Sequence, residues 1–156
     1  MDYPLPLLLK DKKEIKISGA ALMKKGKMVG QLNGPQTEAL NLLMKNYQGG
    51  PITLPCPKHQ KELISFNVTQ AKTTILPQIN NKNVKFKVKV NLTGNISEVS
   101  CFANHKVDSQ EFMALVKTSL NDSVKKKMED TVTMLQELKV DAPQLINSVR
   151  IKDYDF

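Results

Sequence analysis

The sequence predicts an α+β fold: an antiparallel sheet packed against a long carboxy-terminal helix and a shorter helix. Three observations predict it. Val84, Phe86, Val88, Val90 and Leu92 alternate with Lys85, Lys87, Lys89 and Asn91, the period of a strand with one face in a core and one in water. Between about Ser109 and Lys139 the residues Met113, Val116, Leu120, Val124, Met128, Leu135 and Leu138 recur on one helical face, while Lys117, Lys125, Lys126, Glu129 and Lys139 fall largely elsewhere. Finally, Lys24-Lys25-Gly26-Lys27 separates two short runs as a hairpin turn does, with Gly26 supplying positive φ.

Taken in order, residues 1–14 carry Pro4, Pro6 and the charge cluster Lys10 to Glu14 and read as an extended linker. A single folded domain is therefore expected over 15–156. It opens with the hairpin of Ile15, Ile17 and Gly19 against Met28 to Leu32. Asn33-Gly34-Pro35 starts a helix, since proline suits a first helical turn whose N–H has no partner. Leu40, Leu43, Met44 and Tyr47 form its apolar stripe, and Gly49-Gly50-Pro51 is expected to end it. Ile52 to Leu54, surrounded by Pro51, Pro55 and Pro57, reads as a short strand near an edge. Two longer strands follow, about Lys61 to Ile79 and Asn83 to Ser100, joined at Asn80-Asn81-Lys82. Sliding the second by one residue would bury its lysines, so the register is strongly specified. Gly94 marks a bulge or bend. Asp108-Ser-Gln-Glu111 has capping-box spacing and opens the long helix, and Pro143 precedes a short helical piece over 144–151.

Length and composition bound the function. A chain of 156 residues is about one domain and buries roughly 68 to 70 % of its unfolded surface, so it needs neither metal nor disulfide to fold. With 5 % aromatics and no tryptophan, the core must be built mainly from Leu, Ile, Val and Met. The longest apolar run, Leu5 to Leu9 broken by Pro6, falls far short of the about 20 residues a membrane helix requires, and no targeting signal surrounds it. The net charge of +8 comes from 22 lysines and one arginine, Arg150, against fifteen carboxylates. Such a surface is chiefly a solvated one, and it suits anionic headgroups or an acidic protein, for which lysine acts as a point charge. Sequence-specific nucleic-acid binding is not expected, because bidentate arginines and base-stacking aromatics are both missing.

Little in the chain carries reactive chemistry. His59 and His105 sit in turn-like contexts and read as exposed loop histidines, so no catalytic residue is assigned. Cys56 and Cys101 with these histidines lack a recognised zinc spacing, and no metal or cofactor is expected. The two cysteines each end a strand; they read as buried free thiols or as a disulfide, which would require an oxidising compartment and compatible strand ends. Gly49-Gly50 precedes a strand and not a helix, so it is no phosphate cradle. Four glycosylation sequons, at Asn67, Asn91, Asn95 and Asn121, read as chance in an Asn-rich chain.

Four blocks in order resemble one known family. They are Gly19 to Leu32; Gly49-Gly50 with Ile52-Thr-Leu-Pro-Cys56; Val68-Thr-Gln-Ala-Lys-Thr-Thr-Ile-Leu-Pro77; and Val88-Lys-Val-Asn-Leu-Thr-Gly-Asn-Ile-Ser-Glu98. Together with the long helix ending near Asp141, this set resembles the carboxy-terminal domain of the spore germination receptor C-subunit lipoproteins, the Ger(x)C family. The resemblance implies a non-enzymatic subunit of a nutrient germinant receptor, held by a lipid anchor on the outer face of the spore inner membrane. It implies as partners the membrane-embedded A and B subunits; an anionic membrane surface is a further partner that the lysine charge suits. The alternative is a small-ligand domain that binds the germinant itself. No family active site is carried over. Gly19, Gly26, Gly30, Gly50 and Gly94 match as backbone requirements, Lys27 and Glu98 as surface candidates, and the row Lys85, Lys87 and Lys89 is the candidate interaction surface. The family's lipoprotein signal and earlier domains have no counterpart in this chain, which reads as a domain fragment or a truncated homologue. Its tail, Ala142-Pro-Gln-Leu145 through Asp153-Tyr-Asp-Phe156, departs from the family pattern, so the tail is expected to be rearranged or the last strand lost.

Overall fold

The computed structural model describes residues 2–10, 15–80, 83–101 and 109–150. In these residues the chain forms strands β1 (Asp2–Lys10), β2 (Ile15–Lys24) and β3 (Lys27–Leu32), helix α1 (Gly34–Leu43), strands β4 (Gly50–Pro55), β5 (Leu63–Asn80) and β6 (Asn83–Val99), and helices α2 (Gln110–Glu137) and α3 (Leu145–Arg150). The α+β class is as predicted, with antiparallel pairing and one long helix. The strands, however, form two three-stranded sheets among the described residues, ordered β1-β2-β3 and β4-β5-β6. The chain also divides into two compact units where the sequence led us to expect one domain. The first comprises residues 1–47, 73–90 and 127–156, and the second residues 48–72 and 91–126.

In the first unit, the segment expected as a linker is a paired strand: Tyr3 lies opposite Met23, Leu5 opposite Ala21 and Leu8 opposite Ile17. Pro4 and Pro6 are compatible with that role because β1 ends the order of its sheet, where a missing N–H breaks no ladder. Met1 and residues 11–14 of the expected linker lie outside the described residues. The β2–β3 hairpin closes as predicted. Lys24 pairs with Lys27, and Lys25 and Gly26 between them take φ of 49° and 77°, the doubly positive geometry that matches the twist of two-residue hairpins.

Helix α1 is capped by a reciprocal pair. The Asn33 side-chain oxygen accepts from the Gln36 backbone N–H at 2.9 Å, and the Gln36 side chain accepts from the Asn33 N–H at 3.0 Å, which satisfies two of the donors a helix start leaves free. The helix ends earlier than the glycines predict. Lys45 adopts φ 59°, its N–H donates to the Leu42 carbonyl and the Asn46 N–H to the Asn41 carbonyl, so a lysine fills the left-handed capping position usually held by glycine. Helix α2 ends the same way. Lys139 has φ 53°, and Lys139 and Val140 donate to Gln136 and Leu135. This last turn lets Leu135 and Val140 enter the core together with Ala20, Leu22, Leu32, Leu40 and Ala142, with Met44, Met134 and Leu138 packed against them.

In the second unit, β4 is an edge strand as predicted, with Ile52 opposite Phe66 and Leu54 opposite Ile64. Gly94 on β6 is explained by close approach: a Cβ there would collide with the Asn67 carbonyl. The start of α2 is set by Ser109, whose hydroxyl accepts from the Phe112 N–H at 3.2 Å; Asp108, expected as the cap, lies outside the described residues. Ile52, Leu54, Ile64, Val68, Phe112 and Val116 are all buried.

Candidate functional site

The outer part of the β5–β6 hairpin belongs wholly to the first unit and presents two unlike faces. Thr73, Ile75, Pro77 and Ile79 on β5, with Val84, Phe86, Val88 and Val90 on β6, are buried or half-buried, whereas Thr74, Leu76, Gln78, Lys85, Lys87 and Lys89 are exposed. The predicted interaction row therefore stands in solvent, its lysines about 6.8 Å apart along the strand at ~3.4 Å per residue. Lys27 and Glu98 are also exposed.

A second polar group lies elsewhere in the same unit. Glu38 on α1 accepts the Tyr47 hydroxyl at 3.2 Å and pairs with Lys127 on α2 at 3.0 Å. Burial, and then the adjacent Glu38 charge and the hydrogen bond to it, push the Tyr47 phenol up to about 12. With its carboxylate already paired to Lys127, this group ties two helices together.

In the second unit Cys56 and Cys101 form a disulfide, the pairing the sequence left open beside free thiols, and both are buried. Cys56 also donates its N–H to the Glu62 carbonyl, closing a tight turn that continues into β5, and Ser100 donates to Leu63. His59 is exposed in this turn; His105 lies outside the described residues. Among the described residues no group of three or more His, Cys, Asp or Glu side chains could hold a metal ion, and no helix is long and apolar enough to cross a membrane.

One open depression in the first unit is lined by Leu7, Leu9, Ser18, Gln31, Leu32, Asn33 and Gln36. Asn33 and Gln36 already spend hydrogen bonds on each other at the α1 cap. Few polar groups are left there to converge on a small ligand.

Comparison with known proteins places these features in a family. A family model described as spore germination B3/GerAC like, C-terminal, matches residues 18–156. The chain belongs to this family. The match runs past Asp141 and through the tail that the sequence led us to expect as divergent. Over 157 residues the chain is 26 % identical to spore germination protein B3 of Bacillus subtilis (strain 168), covering 99 % of this chain and 41 % of that protein. It is 27 % identical over 140 residues to spore germination protein YndF of the same organism, covering 88 % of this chain and 34 % of that protein. Among solved structures, that of the GerBC protein superposes with a TM-score of 0.85 at 25 % identity, over 99 % of this chain and 48 % of that one. The GerAC-like domain described here thus spans less than half the length of each of these relatives.

Proposed function

We propose that this GerAC-like domain is part of a non-enzymatic subunit of a spore nutrient germinant receptor. It acts by protein contact with membrane-embedded A and B subunits, on the outer face of the spore inner membrane where the full-length family is held by a lipid anchor. The observation that carries this reading is the family match over residues 18–156. It is supported by a second unit held by a buried disulfide, the kind of crosslink that persists outside the reducing cytosol.

The test is co-purification from spore membranes. Tagged protein should bring down membrane-embedded receptor subunits, and a core variant such as Leu40→Ala, if it unfolds the first unit, should not. Recovery of the tagged protein with no membrane subunit under conditions that keep such receptors intact would overturn the reading.

A further inference from the structure

We infer that the exposed face of the outer β5–β6 hairpin, Lys85, Lys87 and Lys89 with Leu76 beside them, docks on an anionic lipid surface. This refines the membrane-side reading above by assigning this face to lipid headgroups and not to a receptor subunit.

The hairpin itself supplies no negative charge to offset these lysines. Residues 63–97 contain no Asp or Glu, although the chain as a whole has fifteen carboxylates. Among the described residues, no side-chain ammonium of the three lysines has an ion-pair or hydrogen-bond partner. Like charges repeated along one strand repel one another, and folding gains nothing from that repulsion; an anionic surface relieves it. Protection of an edge strand by lysine explains charge on β6, but it does not call for Leu76, which is 47 % exposed on the same face.

The chemistry of the side chains selects the partner. A pleated sheet offers a flat row of point charges on flexible stems, and the face holds no arginine to fork onto a carboxylate. A fluid array of phosphates meets such a row without fixed geometry, whereas a folded acidic protein is better matched by arginine. Leucine among lysines is the composition of interfacial anchors, where the apolar group enters the headgroup boundary and the ammonium groups stay with the phosphates.

The experiment is co-sedimentation of the whole chain with vesicles of phosphatidylcholine alone and of phosphatidylcholine with phosphatidylglycerol, in low and in physiological salt. Binding is expected only with phosphatidylglycerol and should weaken as salt rises. Each lysine should contribute about fivefold to the partition coefficient, so K85Q/K87Q/K89Q should lose roughly a hundredfold. Leu76→Ser should lose several-fold while retaining the salt dependence. Lys117→Gln, on α2 in the other unit, should bind as the parent does; circular dichroism should be unchanged and the melting temperature should not fall for any variant. Equal binding to both vesicle types, or full retention by the triple variant, would overturn the inference. If the triple variant keeps its vesicle binding but loses capture of the membrane subunits, the face is a protein-docking surface; the lipid assignment then falls while the receptor reading stands.

Discussion

The two compact units reach order by different means. The first is closed by aliphatic packing: Leu22, Leu32 and Leu40 are 0 to 1 % exposed, and they meet Leu135, Val140 and Ala142 from the far end of the chain. Two lysine-capped helix ends and the Glu38 bridge hold α1 and the end of α2 in place. The second unit has a short edge strand, a hairpin segment and the first part of α2, and it adds a covalent staple between Cys56 and Cys101. A small core is harder to stabilise because less of its surface is removed from water. Constraint of the unfolded chain is a natural supplement where packing is limited.

Breaking the staple should have the largest effect. The disulfide closes a sequence separation of 45 residues, and chain entropy puts the associated stabilisation at roughly 4 kcal/mol. Reduction, or Cys56→Ser with Cys101→Ser, should deprotect β4 and its β5 partner amides in native-state hydrogen exchange well before Leu22 and Leu32 exchange. Simultaneous loss of protection everywhere would erase the distinction between the units.

The complementary cut is Leu40→Ala, expected to destabilise the first unit by about 3 kcal/mol through lost transfer energy and a residual cavity. In denaturant titration of the oxidised protein, amides of β2 and β3 should lose protection first. A uniform shift of all amides would show that the two units unfold as one.

How much of this the sequence declares depends on how local the cause is. The β6 alternation and the Lys25-Gly26 turn are local, since period two and a doubly positive φ are properties of neighbouring residues, and both were legible. The end of α1 was not: glycine rules pointed to Gly49-Gly50, but Lys45 takes the left-handed position, held there by the hydrogen bonds of the last turn. The end of α2 falls close to the expected Lys139, although the left-handed φ of that lysine, set beside the burial of Val140 against Leu135, had no local signal. Strand β1 was misread because prolines at an edge look like prolines in a linker until a partner strand is known. The Cys56–Cys101 bond depends on where two distant strand ends fall, which spacing cannot state. For the candidate surface, exposure of Lys85, Lys87 and Lys89 was legible from alternation; the placement of Leu76 on the same face required both strands. Buried Thr131, whose hydroxyl returns to the Lys127 carbonyl at 2.7 Å, gave no apolar signal at all.

A smaller effect sharpens the comparison inside the first unit. The Tyr47 phenol is raised to about 12, above the about 10 of an unfolded tyrosine. Folding therefore favours the neutral phenol: this contribution is whole below about pH 10 and is lost as pH climbs toward 12. Glu38→Gln should move the tyrosinate absorbance transition of Tyr47 down toward 10 without reaching it, because burial, the larger cause, remains. No movement of that transition would remove Glu38 from the account.

The proposed role in nutrient germination is tested on whole spores. Its most direct measurement is the fall in optical density of spores after nutrient is added, compared between spores with and without this protein. Loss of the protein should slow or abolish the response to at least one nutrient, and reintroduced His59→Ala protein should restore it fully. Wild-type germination without the protein would rule that role out, and a restored response that depends on His59 would show reactive chemistry in it.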